Sequence, residues 1–401
     1  MRKIKIAGIL FFTGVCICLC AILVLALNGR GWNGGEGWDV QGKYHLVLEK
    51  EIPVEEIRGL KIDYSMTFND VTFYQGEGES VVIREYMNFE PEEKQISRVE
   101  QEGGDILVKG VNRNRFVFFS LRGWDAYTEV YLPAGFAEGL EELYVRTVSG
   151  DVRSEIPLGG GEVFSVASTS GDIYLPNVQA EELKVSSTSG DIRMETLAGQ
   201  TAVSTTSGNI SLGQVDGAAK VSSTSGEIRV DGIQGETAVT TTSGDISLGI
   251  IQGDMNLSTT SGEVRIQEGK GRFEAESTSG DIRLELLEGE FHVKSTSGEV
   301  ALLNGTGWGR AGTISGDVRI SLEALAGDLA VSTTSGEVGL GLPEEASLTL
   351  DFDSTSGACS TFFDDVLHFN KKGNQARGQY GDGENAVTVS TVSGDLRIVV
   401  R

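Results

Sequence analysis

The chain has 401 residues, with 33 Lys plus Arg against 58 Asp plus Glu, a formal net charge of −25. A body this acidic repels phosphates and anionic headgroups, so nucleic acid is excluded as a partner. Glycine is frequent, at 54 residues, but only six prolines exclude collagen, and 39% hydrophobic residues exclude disorder.

Residues 6–27 run for 22 positions without a charged side chain. As a helix they would be about 33 Å long, enough to cross a bilayer. Arg2, Lys3 and Lys5 precede the run and only Arg30 follows closely. Positive charge therefore predicts a cytoplasmic tail (1–5), a transmembrane helix (6–27), a Gly-rich linker (28–42) and an ectodomain outside. Trp32 and Trp38 would sit at the outer interface. A cleaved signal peptide is the competing reading, but the run exceeds the usual apolar core of such peptides. A lipoprotein box fails because Val, Ile and Leu precede Cys16, Cys18 and Cys20. Beyond the span only Cys359 remains, so no internal disulfide is expected.

Residues 43–145 carry alternating apolar residues and turn glycines, as in LKIDYSMTFNDVTFYQGEGESVVIREY. They read as irregular first coils plus a hairpin that caps a repeat array.

The array itself, 146–357, is the main signal. Ser-Gly recurs thirteen times, and from Gly190 the glycines Gly208, Gly226, Gly244, Gly262, Gly280, Gly298 and Gly316 follow at intervals of 18 residues. The spacings then become 20, 21 and 37. In units counted from Thr188, the fifth and seventh places are aliphatic, as in Ile192 and Met194, Ile210 and Leu212, or Ile246 and Leu248. The sixteenth is apolar and the twelfth is glycine from Gly199 to Gly307. A period of two with β-branched residues and two glycines per unit gives two short strands and excludes helix. One unit cannot bury its aliphatic face alone; stacked units can. The predicted fold is an all-β, single-stranded β-solenoid of about 18 residues per coil, with coils about 4.8 Å apart. The Ser-Gly glycine is expected to supply a positive-φ corner, with Ser and Thr hydroxyls stacked beside it.

Residues 358–401 break the repeat and then close it with TVSGDLRIVV. The gap of 37 residues reads as an eroded or replaced coil, and Phe362, Phe363 and Phe369 as an end plug.

The residue after the motif glycine is acidic in most coils, and Arg often stands two places on, as in Asp281 and Arg283. A carboxylate column suggests Ca²⁺. Cross-coil pairing with the Arg column is the preferred reading, so no metal site and no cofactor are expected. His45, His292, His368, Asp364 and Asp365 are too scattered to make a catalytic group, and the chain reads as no enzyme. Trp308 and Arg310, in the glycine-rich coil LLNGTGWGRAGT, are the candidate interaction surface, against the plainer reading of a local bulge.

The tandem SGDI/SGEV units, DVTFYQGEGE and GDGENAVTVSTVSGDLRI resemble the bacterial putative-adhesin β-strand-repeat family, itself a domain of unknown function. The resemblance covers residues 40–401. It implies a β-helical ectodomain of an envelope protein, adhesin-like, and brings no site residues with it. Together these readings predict a single-pass membrane protein presenting a non-catalytic solenoid to cell-wall polymer, an envelope protein or a cationic peptide. An accessory module of envelope-stress sensing and a carbohydrate-active β-helix enzyme are the alternatives.

Overall fold

Aliphatic residues at alternate places make a strand with one buried face, and a neighbour with the same pattern completes it. The computed structural model describes residues 44–111 and 125–401, and Tyr44–Arg401 forms one compact unit. The expected tail, membrane helix and linker (1–42), with Trp32, Trp38 and the three cysteines, lie outside the described residues, as does part of the cap within 112–124. Among the described residues no helix is long and apolar enough to cross a membrane.

The coils stack in register. Ile192, Ile210, Ile228, Ile246, Val264, Ile282, Val300 and Val318 pair one above another in parallel strands. Each is at most 1% exposed. Val203, Val221, Val239 and Leu257 form a second buried column. A third inward column was not visible as simple alternation: Leu197, Val215, Ile233, Ile251 and Leu287 are also buried. In the strand Ile210–Asp216 the buried residues are Ile210, Leu212 and then Val215, so two consecutive residues face outward and the strand turns a corner. Where this column loses its side chain, at Gly269, a Cβ would lie 2.8 Å from the Met255 Cε. Buried Met255 reaches into the volume that an aliphatic residue occupies in other coils.

The Ser-Gly corner has a different cause from the one expected. Positive φ belongs to the twelfth-place glycines from Gly199 to Gly289, between +111° at Gly199 and +154° at Gly235, and to none of the Ser-Gly glycines; in the next coil Gly305 and Gly309 take it in place of Gly307. What the motif glycine permits is close approach of backbones. A Cβ on Gly208 would lie 2.0 Å from the carbonyl oxygen of Gly190, and one on Gly226 would lie 1.7 Å from that of Gly208. The buried hydroxyl three residues earlier completes the corner. Thr241 Oγ1 accepts the Gly244 N–H at 3.1 Å, and Ser295 Oγ accepts that of Gly298 at 2.9 Å. Several of these hydroxyls donate to the glycine carbonyl of the preceding coil, as Thr313 does to Gly298 at 3.0 Å. The ladder is therefore hydroxyl-to-backbone, with Thr147 to Ser168 a direct hydroxyl contact at 3.0 Å.

Both ends of the stack are interleaved. At the C-terminal end the strands Ala324–Thr333 and Val338–Leu342 pair with Asn385–Thr391 and Leu396–Val400. Those two pair in turn with the earlier segments Leu348–Ser354 and Cys359–Ser360. The last coil in sequence is thus the penultimate coil in space. A Cβ on Gly394 would meet the Gly336 carbonyl, and one on Gly357 would meet that of Gly394. The gap of 37 residues is therefore no eroded coil. It contains the antiparallel cap, in which Gln375–Tyr380 pairs with Leu348–Ser354 and with Leu367–Phe369. Phe363 is 5% exposed and stacks on Tyr380 at 4.7 Å, with Phe362 edge-on to both, so two of the three expected plug residues fill that role. Phe369 is 40% exposed and does not.

The N-terminal end repeats the device. Gly59–Tyr64 and Asn69–Gly76 lie between the later strands Asp105–Lys109 and Ala126–Pro133 on one side and Glu142–Thr147 and Val152–Ser154 on the other. Antiparallel strands then close the ladders: Arg98–Glu102 on one, Ser80–Met87 and His45–Pro53 on the other. The charged sequences of the two outermost strands, RVEQE and HLVLEKEIP, discourage further pairing.

Candidate functional site

The acidic column after the motif glycine is mostly built into the backbone. Asp151 Oδ1 accepts the N–H of Asp172 at 2.9 Å, Asp172 that of Asp191 at 2.8 Å, and Asp191 that of Asn209 at 2.7 Å. Further on, Asp alternates with Glu: Asp245 accepts from Glu263, Asp281 from Glu299 and Asp317 from Glu337. A short side chain is the right length to reach the next coil's N–H. The longer Glu turns to arginine instead, as Glu263 does to Arg265 at 2.7 Å. This corrects the expected cross-coil salt-bridge ladder. Arg153 pairs with Asp151 and Arg319 with Asp317 inside their own coils, and Arg319 also reaches Glu299 across coils. These pairs are exposed and each contributes little to stability.

Trp308 and Arg310 stand on one outward face, two residues apart in the strand Gly305–Gly312, opposite Glu290 and His292 of the preceding coil. The bulge lies one coil further on: Gly307 and Gly309 pair with Leu325 and Leu329, so the extra residues belong to the next strand, Ala324–Thr333, while Gly305–Gly312 pairs with the preceding coil without a shift. Within this strand Gly305 and Gly309 have φ of +129° and +140°. Trp308 is 37% exposed and lies across Gly327 of the next coil, where a Cβ would come within 2.9 Å of its Cγ. One side of the ring is thus held by packing and the other is open.

The remaining sequence candidates are apart. His45, His292 and His368 are exposed on separate strands. Asp364 Oδ1 accepts from the Thr361 N–H and hydroxyl, holding a short turn. Burial pushes the Cys359 thiol up to about 12, which keeps it protonated. Among the described residues no group of three or more His, Cys, Asp or Glu is arranged to hold a metal.

The surface that sequence reasoning missed lies on the N-terminal cap. In Ala126–Pro133 the residues Ala126, Thr128, Val130 and Leu132 are buried, so Tyr127, Glu129 and Tyr131 face outward. Register places Tyr86 beside Tyr127, Arg84 beside Glu129, and Tyr74 beside Tyr131. Tyr86 and Tyr127 stack at 4.7 Å and 9°, and Tyr74 and Tyr131 at 5.4 Å and 27°. Tyr131 donates to Glu129 Oε2 at 2.9 Å. Arg84 pairs with Glu49 at 2.9 Å, its guanidinium carbon 5.0 Å from the Tyr131 ring centroid. Burial, and next to it Glu129, pushes the Tyr127 and Tyr131 phenols up to about 12. The signal was present as the alternation Tyr127, Glu129, Tyr131, but it reads equally as half of any cap strand.

Fold and surfaces define a capped β-solenoid whose repeated polar residues serve its own backbone. The chain belongs to the Toastrack DUF4097 family, a domain of unknown function whose model matches residues 57–276 and 253–399. Among solved structures it is similar to a Clostridium sporogenes chain named "a putative cell adhesion protein", at 10% identity over 90% of this chain and 99% of that one, with a TM-score of 0.18. No curated protein matches the chain.

Proposed function

We propose that this protein is a non-catalytic, adhesin-like interaction protein: a membrane-anchored acidic solenoid displayed on the outer side of the bacterial cell envelope. One observation supports this most. The residues that recur in every coil are spent on the stack itself, the motif glycines on backbone approach, the aspartates on N–H groups and the hydroxyls on corners. Recognition then falls to outward side chains that differ from coil to coil, carried on a continuous core from Ile52 to Ile398. Such a scaffold holds separate contacts at fixed spacing, the property an adhesive or bridging protein requires. The uncharged run at 6–27 supports the anchor, and the Trp308–Arg310 face supplies one contact surface. The test is made in intact cells carrying a C-terminal tag on the full chain. External protease should remove the tag while a cytoplasmic marker survives, and the chain should stay with membranes through an alkaline wash. A protected tag, or a chain released by the wash, would refute the reading.

A further inference from the structure

The Trp308–Arg310 face stands out by what its cations lack. Arg272 pairs with Glu274, Arg283 with Glu285, and Arg319 with Asp317 and Glu299. Arg310 makes no ion pair among the described residues, and neither does Lys294, diagonally across from it on the preceding coil. The two carboxylates that flank Trp308 are engaged elsewhere. Asp328 Oδ1 accepts the Ala386 N–H at 2.8 Å, and Glu290 has Arg272 on its other side. Two positive charges thus adjoin an open aromatic face on a chain of net charge −25. Beyond them the surface carries only small side chains. Register puts Ala330 and then Thr388 past Arg310, and Ser332 and Ser390 past Gly312, before the ion pair of Asp351 with Arg377. That is three strand spacings, about 14 Å. The Ser332, Thr388 and Ser390 hydroxyls are exposed and bond to no protein group among the described residues.

We propose that this face binds a carboxylated sugar of a polysaccharide, with the pyranose ring against the open side of Trp308 and the carboxylate on Arg310, Lys294 beside it. Three features select that occupant. A tryptophan laid across Gly327 offers its negative π-face to the polarised C–H groups of a sugar ring. Residues two apart on one strand face stand about 6.8 Å from each other, so a single hexuronate spans ring and guanidinium, and arginine takes a carboxylate through two parallel N–H bonds. A peptide finds no free strand edge here, since Gly305–Gly312 is paired on both sides, and the hydroxyl-lined floor gives its apolar side chains no pocket. This site deepens the interaction-protein reading and rests on it.

The test is isothermal titration calorimetry of the purified full chain, in neutral detergent at about 0.15 M salt, with aldotetraouronic acid (one glucuronate on xylotriose) and with its methyl ester. The acid should bind about tenfold tighter than the ester, the contribution of one charge-assisted contact. Arg310→Gln should remove that preference and leave the affinity for the ester unchanged. Trp308→Ala should weaken both ligands about tenfold. Arg229→Gln, an exposed arginine two places after a motif-glycine acid, should change either by under about twofold. Should Trp308→Ala lower the melting temperature, the Arg310→Gln comparison decides alone. No binding of the acid, equal affinity for acid and ester, a preference that survives Arg310→Gln, full affinity in a stably folded Trp308→Ala, or displacement of the acid by equimolar inorganic phosphate would each overturn the proposal. Membrane retention and protease access need no sugar, so failure of this site and failure of the envelope reading are read separately.

Discussion

The middle of the stack and its two ends solve the same problem differently. Between Gly190 and Gly316 each coil rests on the one just before it in sequence, so neighbours in the chain are neighbours in space. At both ends the chain skips a place, builds a cap, and later or earlier supplies the missing coil. An open parallel ladder leaves a terminal strand free to peel and an edge free to recruit another chain. Interleaving puts Leu396–Val400 between two other strands, and Arg401 is held further by Glu323 at 3.0 Å. The repeat thus gives extent, and the broken order at the ends gives closure.

The largest effect should come from treating the two regions alike. Removing residues 384–401 takes the partner from both Val338–Leu342 and Leu348–Ser354, and the C-terminal coils should lose cooperative melting and become protease-sensitive. Deleting Thr242–Thr259, one whole middle coil of the same length, should leave the circular dichroism spectrum per residue unchanged and lower Tm only slightly. Equal damage from the two deletions would erase the distinction.

Within the middle, Ile246→Asp buries an uncompensated carboxylate and should cost about 4 kcal/mol in chemical denaturation, while its outward neighbour Ser247→Lys stays within about 0.5 kcal/mol. Gly244→Ala should cost on the order of 3 kcal/mol, because its Cβ would meet the Gly226 carbonyl oxygen at 2.0 Å. Gly135→Ala, in the N-terminal cap with nothing within 4 Å, should be neutral. Asp281→Glu should cost about 1 kcal/mol by losing the bond to the Glu299 N–H, a sign that Asp and Glu are not equivalent in this column.

The smallest effect sharpens the comparison at the N-terminal junction. Asp70 accepts the Asp151 N–H across the interleaved coil, yet burial pushes its carboxyl up to about 6. A carboxyl raised in the folded state holds a proton that the unfolded chain has lost between about pH 4 and 6. Stability therefore falls as pH rises through that window and stays lower above it. Asp70→Asn keeps an acceptor, as Asn209 does for Glu227. It should raise the unfolding free energy at pH 7 by on the order of 1 kcal/mol, and have no effect below pH 4.

The period, the inward columns at the fifth, seventh and sixteenth places, and the capped solenoid were legible because each rests on a pattern repeated many times. What escaped was information that occurs once or depends on a neighbour. The tenth-place column was hidden by a corner that breaks strict alternation between Leu212 and Val215. The role of the motif glycine was misassigned because positive φ and close approach leave the same residue in the sequence, and only the Gly190 carbonyl above Gly208 separates them. The order of the last two coils could not be read, since Gly357 and Gly394 carry the same motif. Trp308 and Arg310 were found as an irregularity within a repeat. The tyrosine face was not, because it forms only when the later strand Ala126–Pro133 inserts between Asn69–Gly76 and Ser80–Met87.

The interleaved order can be tested by disulfide trapping in a Cys359→Ser background. Gly339→Cys with Arg397→Cys joins residues that are partners on adjacent strands, and this pair should oxidise readily. Gly339→Cys with Ser360→Cys spans two coils, about 9.6 Å, and should stay reduced. Trapping of the second pair in place of the first would mean that the coils stack in sequence order and that the ends are not interlocked.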